Sequence, residues 1–236
     1  MNFDVIVIGA GPAGYIAAIR ASQYGLSVAC IDEWRNRDGS NSFGGTCLNA
    51  GCIPSKALLE SSELFHRASH EFLDHGININ TPIIDIDVMQ ERKNNIVKQL
   101  TGGISGLLKA NKIETLVGHG KFLGSNQVEY TDLKGSSSIL QGKNIVLAAG
   151  SSPIELKSIP FDSDRVVDSW GALDFTEVPE KLAVIGAGVI GLELGSVWNR
   201  LGSNVEIFEA LPDFLNLADR DIAKEAKNQF TKQGLK

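Results

Sequence analysis

Two glycine-rich loops, each set between an apolar strand and a helix, constrain the fold of this 236-residue chain more than any other feature. The first loop, residues 9–14, reads Gly-Ala-Gly-Pro-Ala-Gly directly after the apolar run 3–8. A helix over residues 12–24 and a second buried strand over residues 26–31 are predicted to follow. Glycines allow a close approach to a pyrophosphate at a helix N-terminus, so the loop predicts a dinucleotide site. The residues expected to contact this dinucleotide are Gly9, Gly11, Pro12, Ala13, Gly14 and, at the end of the second strand, Asp32.

The second loop, residues 186–191, reads Gly-Ala-Gly-Val-Ile-Gly after the apolar strand 181–185. A helix to about residue 201 and a strand that ends at Glu209 are predicted to follow it. The chain is therefore expected to bind two dinucleotides, or one dinucleotide through two sites. Glu209 should accept hydrogen bonds from a free ribose 2′-hydroxyl and repel a 2′-phosphate, which favours NAD over NADP. The predicted contacts with this second dinucleotide are Gly186, Gly188, Gly191 and Glu209.

Two cysteines, Cys47 and Cys52, lie close together ahead of Lys56. The net charge of −6 and a total of only three cysteines are typical of an intracellular protein rather than of a disulfide-stapled secreted one. A disulfide between Cys47 and Cys52 would close a very small loop, so it would add little stability. We interpret the pair as a redox-active dithiol; a metal site and inert thiols are the alternatives. The third cysteine, Cys30, lies in an apolar run and is interpreted as a buried core thiol.

The rest of the chain shows clear periodicity in several places. The segment after Cys52 predicts a long amphipathic helix that begins near Cys47 or near Pro54. Residues 153–179 are interpreted as a connector without a clean pattern. The other predicted elements are helices over residues 85–110, 168–173 and 219–233, the last with Gly234 as its C-cap, short meander strands over residues 113–130, and a buried strand over residues 143–151.

The sequence Gly-Gly-Thr-Cys-Leu-Asn-Ala-Gly-Cys-Ile-Pro-Ser-Lys, residues 44–56, resembles the flavin disulfide reductases with a C-x4-C active site. Glutathione and trypanothione reductases typically read C-V-N-x-G-C-V-P-K-K here, and mercuric reductases C-V-N-x-G-C-V-P-S-K. With Leu48, Ile53 and Ser55 where these differ, the chain is most similar to the dihydrolipoamide dehydrogenases. The resemblance implies that dihydrolipoyl groups are oxidised through the disulfide and FAD, and that NAD+ is reduced to NADH.

The resemblance also implies roles for individual residues. Cys47 resembles the interchange thiol that attacks the substrate disulfide, and Cys52 the thiol in contact with the flavin. Lys56 resembles the lysine near the flavin N5, and Glu193 the glutamate that pairs with it near the nicotinamide. The alternatives are a solvated helix lysine and an acid favoured by a helix N-terminus. The residues expected to touch FAD outside the first loop are Gly45, Thr46, Cys52, Lys56, Gly118, His119, Gly120, Ala149, Gly150 and Ser151, with Ala149 in place of the family's usual threonine.

We therefore expect an α/β fold with two Rossmann-like dinucleotide-binding units. Residues 1–150 are predicted to be an FAD-binding domain with a β-meander, and residues 151–236 the start of an NAD-binding domain. The second unit has the pattern βαβα and lacks the third parallel strand of a mononucleotide-binding half. The chain is therefore expected to be an N-terminal portion of a longer enzyme, without the family's acid–base histidine and without full turnover.

The expected partners are the lipoyl domain and E2 component of a 2-oxo acid dehydrogenase complex, with a cytoplasmic homodimer as the full-length form. The acidic net charge argues against nucleic acid, and no apolar run is long enough for a membrane span. His66 and His70 have helical i, i+4 spacing but no third ligand, so no metal site is expected. The alternatives are another flavin disulfide reductase, acting on mercury or a low-molecular-weight disulfide, and a non-catalytic FAD-binding fragment.

Overall fold

The computed structural model describes residues 1–162 and 164–236, so Ser163 of the predicted connector lies outside the described residues. The chain divides into two compact units, residues 1–53 with 96–152, and residues 54–95 with 153–236. Both units combine helices with parallel strands, which confirms the predicted α/β class. None of the described helices has both the length and the apolar composition needed to cross a bilayer.

The first unit is built on five strands. They are β1 (Asn2–Ile8), β2 (Val28–Asp32), β3 (Glu114–Gly124), β4 (Gln127–Asp132) and β5 (Ser137–Leu147). β1 pairs in parallel with β2 and β5, and β2 pairs in parallel with β3. β3 continues beyond this parallel segment and pairs antiparallel with β4, which pairs antiparallel with β5. β3 and β4 correspond to the meander predicted over residues 113–130. β5 was predicted as a separate buried strand over residues 143–151; it begins earlier, ends at Leu147, and has Lys143, Asn144 and Leu147 exposed. Together β3, β4 and β5 close the sheet into a barrel.

The central strand β1 is buried on both faces, as expected for a strand flanked by parallel neighbours. Val5 and Val7 lie in one apolar cluster with residues of helix α1 (Pro12–Gln23) and of helix α4 (Ile86–Ala110). Ile6 and Ile8 point to the other face and pack in a second cluster with β2, β3, β4 and β5. Because strand side chains alternate, one short segment supplies both clusters, and its carboxyl end at Ile8 leads directly into the first glycine loop.

The second unit contains two parallel strands, β6 (Lys181–Ile185) and β7 (Asn204–Phe208). Helix α6 (Val189–Arg200) connects them, and its Trp198 is fully buried, with the indole Nε1 donating to the Ala172 carbonyl at 3.1 Å. Helices α5 (Ser169–Ala172) and α7 (Arg220–Gln233) lie where they were predicted, each preceded by an aspartate whose carboxylate accepts backbone N–H bonds. Gly234 ends α7 in the left-handed conformation, which confirms the predicted C-cap.

The last described residue, Lys236, forms backbone hydrogen bonds with β7. The Lys236 amide donates to the Val205 carbonyl at 3.2 Å, and the Lys236 carbonyl accepts from the Ile207 amide at 2.8 Å. These two bonds place Lys236 beside β7, where a third parallel strand would pair. The described part of the second unit keeps the predicted βαβα pattern, with β6 and β7 as its two strands.

Buried charge anchors the connector within the second unit. The side chain of Lys93 is almost completely buried; its ammonium group donates to the Leu173 carbonyl at 3.0 Å and forms an ion pair with Asp174. The Gln90 side-chain amide donates to the carbonyls of Leu173 and Phe175 at 3.1 and 2.9 Å. The segment after α5 is therefore fixed to the first half of α4, although its sequence shows no periodic pattern.

Candidate functional site

The first glycine loop is packed so closely that several of its positions exclude a side chain. Gly9 has a φ of +101°, and a Cβ there would lie 2.1 Å from the Ala148 carbonyl oxygen. A Cβ on Gly14 would lie 1.7 Å from the Gly9 carbonyl oxygen. A Cβ on Gly45, in the dithiol segment, would lie 2.5 Å from the Cα of Gly11. The backbones of the loop and of the dithiol segment therefore touch, and α1 begins at Pro12 directly behind them.

Asp32 lies at the carboxyl end of β2 and binds back onto the first loop. Its Oδ2 accepts the Ala10 amide at 2.5 Å, and its Oδ1 accepts the Trp34 amide at 2.9 Å. Burial raises the pKa of Asp32, and these two backbone hydrogen bonds oppose that rise. The carboxylate is therefore fixed beside the loop, at the place where a dinucleotide's ribose would be expected.

The second glycine loop repeats this arrangement in the second unit. Gly186 has a φ of +106°, and a Cβ on Gly191 would lie 2.2 Å from the Gly186 carbonyl oxygen. Glu209, at the end of β7, accepts the Ala187 amide at 2.9 Å and the Leu211 amide at 2.9 Å. The hydrogen bonds from Leu211 and Ala187 lower the pKa of Glu209, so its carboxylate is an anionic acceptor at neutral pH.

The dithiol segment forms two helices: the predicted long helix, which begins close to the predicted start near Pro54, and an unpredicted short helix before it. Helix α2 (Gly45–Ala50) carries Cys47, and helix α3 (Cys52–His70) begins on Cys52. The break is at Gly51, where an added Cβ would lie 2.9 Å from the Thr46 carbonyl oxygen and 3.2 Å from the Cys47 Cα. Only a residue without a side chain lets the chain turn back this tightly. Cys47 is half-buried against the first apolar cluster, whereas Cys52 is exposed.

The structure brings Lys56 and Glu193 together, although 136 residues separate them in the sequence. The Lys56 ammonium group lies 2.6 and 2.7 Å from the two carboxylate oxygens of Glu193, with 59% and 32% of the side chains exposed. The Ser55 hydroxyl is 3.4 Å from the same carboxylate, a contact that the sequence analysis did not predict. The contact joins the first turns of α3 and α6 and is the one that the family resemblance implied. The redox role of these residues stays a prediction.

The loop after β2 contacts β3 through an unpredicted hydrogen bond. His119 Nδ1 lies 2.7 Å from the Glu33 carboxylate, and both side chains are exposed. The neighbouring Gly118 has a φ of +150°, and a Cβ there would lie 2.2 Å from the Thr131 carbonyl oxygen. A single glutamate in a polar stretch of sequence carries no signal of a partner on a distant strand, so this contact could not be predicted.

The remaining predicted FAD contacts follow β5. Ala149, Gly150 and Ser151 lie outside any helix or strand, and Gly150 has a φ of +74°. The Ala148 amide donates to the Ile8 carbonyl at 2.8 Å, so this turn starts at the same sheet edge as the first glycine loop. Their contact with FAD stays a prediction.

A metal site in the described residues would need at least three ligands close together. Among residues 1–162 and 164–236, no group of three or more His, Cys, Asp or Glu side chains is placed to hold a metal ion. The rings of His66 and His70 stack with their centroids 4.4 Å apart.

The first testable prediction concerns Cys30, which is completely buried next to the first glycine loop. Burial raises its pKa to about 12. A rise of about three units leaves roughly 1,000-fold less thiolate near neutral pH, so we expect iodoacetamide to alkylate Cys30 at least that much more slowly than an exposed thiol. Mass spectrometry of the reduced protein before and after unfolding in urea measures this, and alkylation of Cys30 in the folded protein at the rate seen in urea would contradict it.

Comparison with known proteins places these features in a family. A model described as pyridine nucleotide-disulphide oxidoreductase matches residues 3–236. The chain belongs to this family. Over its whole length, the chain is 52% identical to a dihydrolipoyl dehydrogenase of Cupriavidus necator and covers 50% of that protein. It is also 46% identical over its whole length to the mitochondrial dihydrolipoyl dehydrogenase of Sus scrofa and covers 46% of that protein. A leghemoglobin reductase of Vigna unguiculata is 46% identical over 99% of the chain, which covers 43% of that protein.

A solved structure with lower sequence identity has a similar fold. The Cu(II) complex of the HOCl-induced flavoprotein disulfide reductase RclA from Escherichia coli aligns with a TM-score of 0.81 and 28% identity, over 100% of this chain and 48% of that one. The family match and this likeness confirm the predicted fold class and the resemblance to flavin disulfide reductases. The chain spans about half the length of the relatives that it matches.

The first unit fits a dinucleotide cofactor on its own geometry. Gly11 lies at the start of α1, and Gly45 of the dithiol segment approaches it so closely that a Cβ on Gly45 would lie 2.5 Å from the Gly11 Cα. The Asp32 carboxylate completes the edge of this cradle. A pyrophosphate bound there would lie at the positive end of a 12-residue helix, which is the environment that phosphate groups favour.

Proposed function

We propose that the protein acts as a dihydrolipoyl dehydrogenase, which oxidises the dihydrolipoyl groups of 2-oxo acid dehydrogenase complexes with FAD and NAD+. One observation carries this proposal. The segment with Cys47 and Cys52 is in backbone contact with the first glycine loop, through Gly45 and Gly11, within a single compact unit. A dithiol beside a dinucleotide cradle is suited to pass electrons between a thiol substrate and a flavin.

Each residue has a separate role in this proposal. Cys47, on the short helix α2, exchanges with the substrate's sulfur, so the dihydrolipoyl thiols become a disulfide as the protein's disulfide is reduced. Cys52, at the start of α3, faces the flavin. Bound FAD supplies two-electron redox chemistry between the dithiol and the nicotinamide. Lys56 holds a positive charge near the flavin ring, and Glu193 fixes that ammonium group through its two short contacts.

The choice of nicotinamide cofactor is assigned to Glu209. Its carboxylate is held by the amides of Ala187 and Leu211 and is ionised at neutral pH. An ionised carboxylate accepts hydrogen bonds from ribose hydroxyls and repels a 2′-phosphate, so the proposed oxidant is NAD+. Residues 1–150 are proposed as the FAD domain and residues 151–236 as part of the NAD domain. The proposed partners are the lipoyl domain of an E2 component and a second copy of the enzyme.

The function is tested by spectroscopy on the FAD-loaded protein under anaerobic conditions. We expect dihydrolipoamide to add a long-wavelength band to the flavin spectrum and NAD+ to restore the original spectrum with formation of NADH, one dithiol oxidised for each NAD+ reduced. NADP+ in place of NAD+ should restore it at least about tenfold more slowly, since discrimination by one charged contact is worth ~1.4 kcal/mol or more. Flavin that binds but does not respond to dithiols would favour a non-catalytic flavoprotein, and a response to mercury or glutathione disulfide alone would favour the other reductases.

A further inference from the structure

Two ion pairs connect helices α3 and α6 within the second compact unit. The first joins Lys56 to Glu193 at 2.6 Å, and the second joins Glu63 to Arg200 Nη2 at 2.7 Å. Lys56 and Glu63 are seven positions apart on α3, as are Glu193 and Arg200 on α6. Seven residues of α-helix rise about 10.5 Å, so the two pairs are equally spaced along both helices. Partners match in the same order, which means that the two helices run in parallel.

The order of charges in these pairs selects one arrangement of the helices. On α3 the cation precedes the anion, and on α6 the anion precedes the cation. An antiparallel arrangement would place Lys56 opposite Arg200 and Glu63 opposite Glu193. A slip of seven residues in either direction would bring one of the same like-charged pairs together. Both pairs are attractive only in the parallel, unslipped arrangement that the structure shows, because like charges in contact are destabilising.

The two pairs differ in exposure. Only 14% of the Arg200 side chain is exposed, whereas 59% of the Lys56 side chain is. The Nε of Arg200 is buried and has no hydrogen-bond partner among the described residues, so Glu63 is important for compensating this charge. Removing the partner of a buried charge is costly, but an exposed pair contributes little by itself. The Glu63–Arg200 pair is therefore the stronger constraint on the sliding of α6 along α3.

We propose that Glu63 and Arg200 are positioning residues: their ion pair sets the axial register of α6 on α3 and thereby holds Glu193 against Lys56. A slip of one helical turn is about 5.4 Å, which is much longer than the contact between Lys56 and Glu193. The redox consequence of this register rests on the proposed function. The coupling between the two ion pairs does not depend on the proposed function, because it is a property of the second unit alone.

A double-mutant cycle tests the coupling. Glu63→Gln, Lys56→Met and the double variant are unfolded in urea and followed by tryptophan fluorescence, without FAD. We expect the two substitutions to be non-additive by about three- to fivefold in the unfolding equilibrium constant, because loss of the register already weakens the contact of Lys56 and an exposed ion pair contributes no more than that. Additivity within about twofold, the usual scatter for independent sites, would overturn the proposal. Glu91→Gln, which removes an exposed carboxylate on α4, is the matched control and should be additive with Lys56→Met.

A charge swap and a flavin spectrum give two further readouts. Glu63→Arg alone should remove the coupling, and Glu63→Arg with Arg200→Glu should restore it, because the swap re-creates an attractive pair at the same position. In the FAD-loaded protein, Glu63→Gln should shift the flavin absorbance in the same direction as Glu193→Gln, and Glu91→Gln should not. A protein that shows the coupling but binds no FAD would contradict the proposed function only. One that binds FAD but shows no coupling and no rescue would contradict the positioning role only.

Discussion

Replacing Cys52 by serine is expected to abolish the long-wavelength absorbance that a thiolate in contact with flavin gives to the reduced, FAD-loaded protein, whereas Cys47→Ser should retain it. Cys52 is the first residue of the 19-residue helix α3 and is exposed. This is the thiol that the proposed function places against the flavin. The absorbance spectrum of each variant, recorded anaerobically after reduction with one equivalent of dithiol, measures the effect.

The control for this prediction is Cys30→Ala, since Cys30 is buried and its raised pKa keeps it protonated. This variant should show the same long-wavelength absorbance as the unmodified protein. Loss of the absorbance in Cys47→Ser and its retention in Cys52→Ser would exchange the roles of the two thiols. Loss in both single variants would mean that the band requires the intact pair, which would contradict the assignment of one thiol to the flavin.

Local patterns in the sequence predicted most of the fold, because its elements carry their own boundary signals. The first strand, loop and helix occur almost where predicted, since the glycines and Pro12 specify both the turn and the helix start. Asp168 and Asp219 each precede a helix and accept hydrogen bonds from its first backbone N–H groups, and both helices lie where they were predicted.

The long helix after Cys52 was predicted, with a start near Pro54 as one of two alternatives, but the separate short helix α2 before it was not. Apolar periodicity after Cys52 predicted one helix, and Gly51 was taken as part of the motif. In the structure Gly51 breaks the segment into α2 and α3, because the chain passes so near Thr46 and Cys47 that no side chain fits. Such steric exclusion depends on the distance between two backbone segments, and periodicity within one segment contains no information about it.

Contacts between distant segments were predicted only where the family resemblance supplied them. Lys56 and Glu193 were expected to be paired on that basis, and the structure brings them together. Glu63 and Arg200 have ordinary helix-surface surroundings in the sequence, and neither was singled out. Their equal seven-residue spacing becomes meaningful only once α3 and α6 are known to lie side by side.

Alanine substitutions at two glycines of the first loop, Gly11 and Gly14, are expected to have different effects on stability. A Cβ on Gly14 would lie 1.7 Å from the Gly9 carbonyl oxygen, so Gly14→Ala requires a backbone shift. We expect it to lower the free energy of unfolding by about 3 kcal/mol or more, at the upper end of the cost of overpacking. A Cβ on Gly11 would be an ordinary 3.6 Å from the Cα of Gly45, so Gly11→Ala should change the stability of the FAD-free protein by less than about 0.5 kcal/mol.

Gly11→Ala should instead lower FAD affinity, by about 100-fold or ~2.7 kcal/mol, because its methyl group would occupy the face on which a pyrophosphate approaches the loop. Urea unfolding of the FAD-free protein and titration with FAD separate the two effects. If Gly11→Ala is as unstable as Gly14→Ala, the glycine serves packing and not the cofactor. If it is stable and binds FAD normally, the pyrophosphate does not cross the loop at Gly11. Since Gly11 is also the residue that Gly45 touches, a selective loss of affinity would locate the cofactor at the junction of the loop and the dithiol segment.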